Sequence, residues 1–114
     1  MTRFVYKPAL LRGARVFDVT AAGISCTDAS ETPLWRLEWA QITGAALVEQ
    51  VVARHRLRRL DLFHGPGRSK TTIAFNGGRE TSAFAGTDGA VHLRLVIAIL
   101  QALSTRHPEM RIGV

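Results

Sequence analysis

The densest group of side chains that could bind a ligand is a run of arginines in the middle of the chain. Four of them fall within six residues: Arg54, Arg56, Arg58 and Arg59. A guanidinium group suits phosphate and carboxylate because it donates two parallel hydrogen bonds. The run therefore predicts a salt-dependent anion-binding site for acidic lipid. The alternative is a solvated hairpin tip, whose charges keep a sheet edge from aggregating. Nucleic acid is the weaker partner, because no aromatic platform interleaves with the arginines.

A second candidate surface lies on a long apolar segment near the end of the sequence. A helix is predicted to begin near Thr87 or Asp88, which can cap it, and to end before Pro108. Its apolar arc is wider than the roughly 100° that a surface helix needs. The surplus is predicted to bind a protein partner or a second copy of the chain through Val91, Leu95 and Ile99. The alternative is that the mouth of the barrel and the N-terminal arm Phe4-Val5-Tyr6 of the same chain cover it.

No set of side chains predicts catalysis or a metal site. The nine acidic residues are scattered over predicted turns and outward strand positions, without a close pair for acid–base chemistry. None of the four histidines has a zinc-ligand spacing: His55, His64, His92 and His107. The segment 65–71 faintly resembles a phosphate loop, but it lacks the Gly-Lys-Ser/Thr core and leads into a strand. We therefore expect a non-enzymatic protein without a cofactor or a metal.

Composition and charge favour one ordinary globular domain. The chain has 114 residues, of which 46% are hydrophobic and 21% charged, and domains cluster near this length. The single cysteine, Cys26, lies in an alternating apolar run and is predicted to be a packed core thiol. The formal charge of +6 favours anionic partners, although Lys7 and Lys70 are the only lysines and the excess of arginine equally fits a compositional habit.

The sequence also carries an expectation about location. No signal-peptide core is evident near the N-terminus. The longest mainly apolar stretch, 93–103, is interrupted by Arg94 and Gln101 and falls short of the roughly 20 residues that cross a bilayer. A cytoplasmic, soluble protein without a transmembrane segment is therefore expected.

Strand-like segments must position these side chains. Apolar and polar residues alternate in seven segments before the helix: 15–20, 24–28, 34–39, 42–52, 56–64, 69–75 and 80–85. Residues 1–13 are expected to form an arm or a short helix, and 110–114 a short extended segment. Gly44 predicts a bulge, and Asn76-Gly77-Gly78 predicts a hairpin turn. The clearest alternation puts Trp35, Leu37 and Trp39 on one buried face.

Strands that precede a single helix, rather than alternating with helices, favour antiparallel pairing. The expected fold is mainly β, a seven-stranded antiparallel barrel or sandwich capped by one C-terminal α-helix. The segment Leu34-Trp35-Arg36-Leu37-Glu38-Trp39-Ala40-Gln41-Ile42 resembles the bacterial branch of the pleckstrin-homology (PH)-like family, in which a strand ending in tryptophan is followed by two residues and an isoleucine.

The resemblance covers roughly residues 14–106 and implies one PH-like domain over 1–114, with 1–13 as its arm. It also implies two nearly orthogonal sheets, with the helix closing one end. Relatives of this kind imply a protein-interaction or self-assembly module, with the possibility of a homo-oligomer. The alternative function is an anionic-ligand module that uses the arginine patch.

Overall fold

Two β-meanders follow one another along the chain, and a long helix comes after them. The computed structural model describes residues 1–9, 12–52, 55–67, 69–79 and 83–113. The elements in chain order are β1 Thr2–Tyr6, β2 Arg15–Val19, β3 Gly23–Asp28, β4 Pro33–Glu38, a 3₁₀ helix Trp39–Gln41, β5 Ile42–Val52, β6 His55–His64, β7 Ser69–Arg79, α1 Ala83–Arg106 and β8 Ile112–Gly113.

The described strands form two separate four-stranded sheets. The first sheet has the order β1-β2-β3-β4, and the second has the order β7-β6-β5-β8. Neighbours are antiparallel, except that β8 pairs in parallel with β5, at Ala45 and Ala46. The prediction of a mainly β fold with one C-terminal helix is confirmed. The predicted strand count is wrong, because the described residues contain eight strands, and the two sheets do not close into a barrel.

Alternation along the first sheet separates a core face from a solvent face. Phe17 of β2 lies opposite Phe4 of β1 and Cys26 of β3, so the three side chains share the core face. On the other face, the Arg3 guanidinium pairs with the Asp18 carboxylate at 2.8 Å. This exposed pair lowers the pKa of Asp18, chiefly through the hydrogen bond from Arg3.

The core fills the space between the sheets and helix α1. Aliphatic side chains of the second sheet and the helix are completely or almost completely buried there: Leu60, Leu62, Ile73, Leu95, Val96, Ile99 and Leu103. Apolar residues of α1 recur at three- and four-residue intervals, so one stripe of the helix faces the sheets. Strand β1 also packs against this helix, because Tyr6 meets the ring of His92 edge-on with 5.2 Å between the ring centroids.

The N-terminal segment departs from the prediction of an arm or short helix. Thr2–Tyr6 forms edge strand β1, which pairs with β2 along its whole length. Pro8 follows the strand rather than interrupting it, and its carbonyl oxygen accepts a hydrogen bond from the Asn76 amide at 2.7 Å. The first sheet therefore gains a strand that the sequence pattern of residues 1–13 did not reveal.

The largest local errors lie before the helix. The predicted hairpin turn at 76–78 is wrong, because β7 continues to Arg79 and remains paired with β6. The predicted strand 80–85 is also wrong where it is described, since residues 83–85 belong to α1, and 80–82 lie outside the described residues. Helix α1 begins before the expected caps, so Asp88 lies inside it and accepts a hydrogen bond from the Lys7 amide at 3.0 Å.

Candidate functional site: a cleft between the two sheets

A cleft of about 480 Å³ opens between the two sheets. Side chains of β1, β2, β3 and β4 line one side, and side chains of β5, β6 and β7 line the other. Its volume falls within the range of small-molecule sites, roughly 300–1,000 Å³. The cleft is therefore large enough to enclose most of a small organic ligand.

Aromatic rings form much of the cleft wall. Tyr6 stacks on Phe17 with 5.5 Å between ring centroids, and Phe17 meets Trp35 edge-on at 6.0 Å. The Tyr6 hydroxyl donates a hydrogen bond to the Ala74 carbonyl oxygen across the two sheets, at 3.0 Å. This bond and the ring packing fix the wall, so the cleft presents a preformed apolar surface.

The charged side chains that line the cleft, among the described residues, are all positive. They are four arginines, with no described aspartate or glutamate beside them: Arg12, Arg15, Arg58 and Arg59. Like charges that line a recess with low-dielectric walls reinforce one another's potential. The cleft is consequently an electropositive recess.

Two of these arginines are already paired. The Arg58 Nε atom donates to the Glu49 carboxylate at 3.2 Å, and one of its terminal nitrogens donates to the Gly89 carbonyl oxygen at 3.1 Å. The Arg59 Nε atom donates to the buried Asp61 carboxylate at 3.2 Å. Both side chains are thus held in place by the protein.

Arg12 and Arg15 differ, since no carboxylate of the described residues lies within ion-pair distance of either guanidinium. The nearest acidic neighbour in register is Asp28, opposite Arg15. Its carboxylate instead accepts hydrogen bonds from the Ser30 and Thr32 amides, both at 2.9 Å. One terminal nitrogen of Arg15 donates to the Gly13 and Ala14 carbonyl oxygens, both at 3.4 Å, which does not neutralise its charge. With respect to the described residues, two positive charges at the cleft therefore remain available to an anionic ligand.

The two weakly acidic groups of the cleft, the Cys26 thiol and the Tyr6 hydroxyl, have raised pKa values. Burial raises the pKa of the Cys26 thiol to about 11, and the positive charge of Arg15 opposes that rise. Burial likewise raises the pKa of the Tyr6 hydroxyl well above its ordinary value, again with Arg15 opposing. Both groups are neutral at pH 7, and Arg15 is close enough to influence each of them.

The arginine run predicted from the sequence does not form one patch. Arg54 lies outside the described residues, and Arg56 is exposed. Alternation along β6 sends Arg59 to the face opposite that of Arg56 and Arg58. Only Arg58 and Arg59 of the described members line the cleft.

The predicted partner-binding face of the helix is wrong. Leu95 and Ile99 are completely buried, with 0% of their surface exposed, and Val91 is half-buried against the core. Strands of both sheets of the same chain, chiefly β7 and β1, cover this face. Among the residues of α1 whose burial the structure describes, the exposed large apolar ones are Leu93 and Ile97, at 38% and 46% exposed.

The described residues contain no group of three or more His, Cys, Asp or Glu side chains that could hold a metal ion. His64 hydrogen-bonds the Thr71 hydroxyl at 2.8 Å, and His107 lies 3.1 Å from the Trp39 carbonyl oxygen. His92 is buried in the core. Each of these histidines therefore contacts a structural partner.

Sequence reasoning missed the cleft residues of the first sheet. Arg15 carried the strongest available signal, because it shares one strand face with Phe17 and Val19. An arginine at the end of an apolar strand face is a departure from the usual alternation. It indicates a charged group at the margin of the core, which is where the structure places Arg15.

Comparisons with known proteins give this chain no relatives: we found no matching family model, no similar curated protein and no similar solved structure. Across the part of the chain that the structure describes, no helix combines the length and apolar character needed to cross a bilayer.

Proposed function

We propose that this protein is a non-enzymatic module that binds an anionic ligand in the cleft between its two sheets. One observation carries the proposal: among the described residues that line a recess of about 480 Å³ none is acidic, and neither Arg12 nor Arg15 has a described carboxylate within ion-pair distance. These two arginines supply the charges that a ligand can neutralise. A ligand that pairs with them gains charge-assisted hydrogen bonds, which are among the strongest available in proteins.

The ionisable groups of the recess support binding rather than acid–base or nucleophilic chemistry. The Cys26 thiol, whose pKa burial raises to about 11, is protonated at neutral pH, and the thiol is a far weaker nucleophile than the thiolate. The Tyr6 hydroxyl donates its hydrogen bond to a backbone carbonyl and so serves the packing of the sheets.

The PH-like assignment accompanies this proposal. Consecutive antiparallel strands followed by one C-terminal helix support it. Four features depart from it: β1 precedes residues 14–106, residues 83–85 are helical, β8 is an added strand, and the two sheets do not close into a barrel. The proposed binding function rests on the cleft and not on membership of that family.

Charge removal at the cleft tests the proposal. In the Arg12→Gln/Arg15→Gln double variant, affinity for a bound anion is expected to fall about tenfold or more, because two charge-assisted contacts are lost. Isothermal titration calorimetry would compare inorganic pyrophosphate, 8-anilinonaphthalene-1-sulfonate and phosphatidylglycerol vesicles at two salt concentrations.

The matched control is Arg36→Gln/Arg94→Gln, which removes the same charge at exposed positions that do not line the cleft. This variant should bind as the wild type does. Failure of all three anions to bind, or an equal loss in both double variants, would contradict the proposal.

A second candidate function is self-association or protein binding through α1. Leu93 and Ile97 are four residues apart and exposed on one side of the helix, where two apolar side chains form a small patch. Such a patch supports at most a weak contact, because stable interfaces bury well over 1,000 Å².

The Leu93→Gln/Ile97→Gln variant tests this second candidate. Multi-angle light scattering from 1 to 500 µM should show wild-type dimers whose dissociation constant rises about tenfold or more in the variant, since apolar burial is lost. Val5→Gln, which alters an exposed valine on the first sheet, serves as the control. A wild type that stays monomeric over this range would dismiss self-association.

A further inference from the structure

We infer that the cleft takes a small amphipathic organic anion, whose one anionic head pairs with Arg12 and Arg15 while its apolar body lies against Phe17 and Trp35. This inference rests on the proposed function and specifies its ligand class. It follows from the number of available charges, the character of the walls and the shape of the recess.

Charge counting limits the ligand to one or two negative charges. Glu49 neutralises Arg58, and Asp61 neutralises Arg59, so these arginines add little net charge to the recess. Arg12 and Arg15 remain. A polyanion would bring more charge than the cleft can pair, and the excess would have to leave water without compensation.

The walls require an apolar body. Apolar side chains of the cleft that are exposed or half-buried are in contact with water: Leu34, Trp35, Val48 and Leu57. A compact inorganic ion would occupy the arginine end and leave the rest of the cavity as apolar surface in contact with water. A ligand body that fills this space gains roughly 25 cal/mol for each Å² of apolar surface that it removes from water.

The aromatic arrangement favours a flat or slender body. Phe17 and Trp35 stand edge-on to each other at 6.0 Å between ring centroids, which leaves a faceted wall against which a ring or an alkyl chain can pack. Trp35 is the half-buried member of the pair, so its indole lies where the wall meets solvent.

The position of the head group follows from the register of β2. Arg15 pairs with Tyr6 of β1 and lies two residues before Phe17 on the same face of the strand, so it borders the aromatic wall. A head group bound there places its attached body directly over the rings. The recess also disfavours a membrane surface, because a planar array of head groups cannot enter a concave site between two sheets.

A pair of matched ligands tests the inference. 8-Anilinonaphthalene-1-sulfonate and N-phenyl-1-naphthylamine share an apolar body, but only the first carries an anionic group. Titration of the folded protein should give one site for the sulfonate, with an affinity about tenfold or more above that of the neutral amine and of inorganic pyrophosphate. Arg15→Gln should reduce sulfonate affinity to nearly that of the amine, whereas Arg36→Gln should not.

Trp35 provides a second test of where the apolar body lies, because it lines the cleft and is half-buried. Trp35→Ala should lower the affinity for the sulfonate about tenfold in the same titration, because the apolar body loses its contact with the indole. The affinity for pyrophosphate should stay unchanged, because the ion does not cover the apolar wall.

The outcomes distinguish the inferred ligand class, an amphipathic anion, from the more general proposal that the cleft binds anions. If pyrophosphate or phosphatidylglycerol vesicles bind through Arg12 and Arg15 as tightly as the sulfonate does, anion binding stands and the amphipathic ligand class is overturned. Equal binding of the sulfonate and the amine, or a sulfonate affinity that Trp35→Ala leaves unchanged, also overturns it. Absence of binding by any anion removes both proposals.

Discussion

Replacing Gly23 with alanine is expected to lower the free energy of unfolding by about 3 kcal/mol, as an added methyl group without space does in a packed interior. A Cβ atom at Gly23 would overlap the Leu37 carbonyl oxygen and lie 2.8 Å from the Glu38 Cα atom. Both contacts are with backbone of the paired strand β4, which cannot rotate away as a flexible side chain can. The clash must therefore shift β3 against β4.

The turn that contains Gly23 amplifies this effect, because it anchors two other elements. The Thr20 hydroxyl accepts hydrogen bonds from the Ala22 and Gly23 amides, each at 3.2 Å. The Thr20 carbonyl oxygen accepts the Trp39 indole N–H at 2.9 Å, and Arg106 at the end of α1 donates to the Ala21 carbonyl oxygen at 2.9 Å. A displaced turn would loosen the corner between the sheets and the end of the helix.

Gly67→Ala is the matched control, because a Cβ atom at Gly67 would meet nothing within 4 Å. Urea denaturation should place this variant within about 0.5 kcal/mol of the wild type. Gly23→Ala should differ from it by several times that amount. Equal midpoints for the two variants would contradict the described packing of β3 against β4.

The sequence predicted strands well where one face is buried and neighbours are consecutive. The expected bounds of β5, 42–52, agree with the structure, and the register shift at Gly44 confirms the predicted bulge. Trp39 is buried as expected, although it lies in the 3₁₀ helix after β4 rather than in the strand itself. These features depend on local alternation, which a single sequence displays directly.

The errors occur where pairing between distant residues overrides a local signal. Asn76-Gly77-Gly78 has the composition of a tight turn, yet β6 pairs on both sides of Gly77-Gly78, Leu57 with Asn76 and His55 with Arg79, so the segment forms a register shift within β7. Within α1, the Asp88 carboxylate accepts a hydrogen bond from the Lys7 amide of the N-terminal segment, where the sequence predicted a helix cap. Neither partner is visible within the local sequence.

The cleft was only partly predictable for the same reason. Arg58 and Arg59 belong to an obvious cluster, and the sequence analysis selected them as anion-binding residues. Arg12 and Arg15 lie more than 40 positions earlier in the chain, and only the opposition of the two sheets brings them to the same recess. In the described structure, the arginines available to a ligand are therefore Arg12 and Arg15, before and at the start of β2, and not the paired Arg58 and Arg59 of β6.

His92 makes the stability of the fold depend on pH. The ring is completely buried, its Nε2–H donates to the Ile73 carbonyl oxygen at 3.0 Å, and its Nδ1 atom has no hydrogen-bond partner among the described residues. Burial lowers the pKa of His92 from 6.5 to about 4, and the charge of Arg58 contributes to the decrease. A proton on Nδ1 would therefore be buried without an acceptor.

The sign of the dependence follows from which state binds the proton first. Between pH 6.5 and about 4 the unfolded chain protonates His92 while the folded chain keeps the ring neutral, so stability falls as the pH falls. A difference of this size corresponds to about 3 kcal/mol in total, and nearly all of it is retained at pH 7. Below pH 4 the folded state also takes up the proton, and this group causes no further loss.

His92→Leu should remove that contribution. The variant loses a hydrogen bond and is expected to be less stable than the wild type at pH 7, but its stability should fall about 3 kcal/mol less between pH 7 and pH 4. Leu95→Ala, which creates a cavity on the same face of the helix, should lower the free energy of unfolding at both pH values. The dependence of that free energy on pH should stay as in the wild type. Denaturation curves for the three proteins at half-unit pH steps would measure this dependence. If the free energy of unfolding varied with pH equally in His92→Leu and Leu95→Ala, the result would contradict a neutral, buried imidazole.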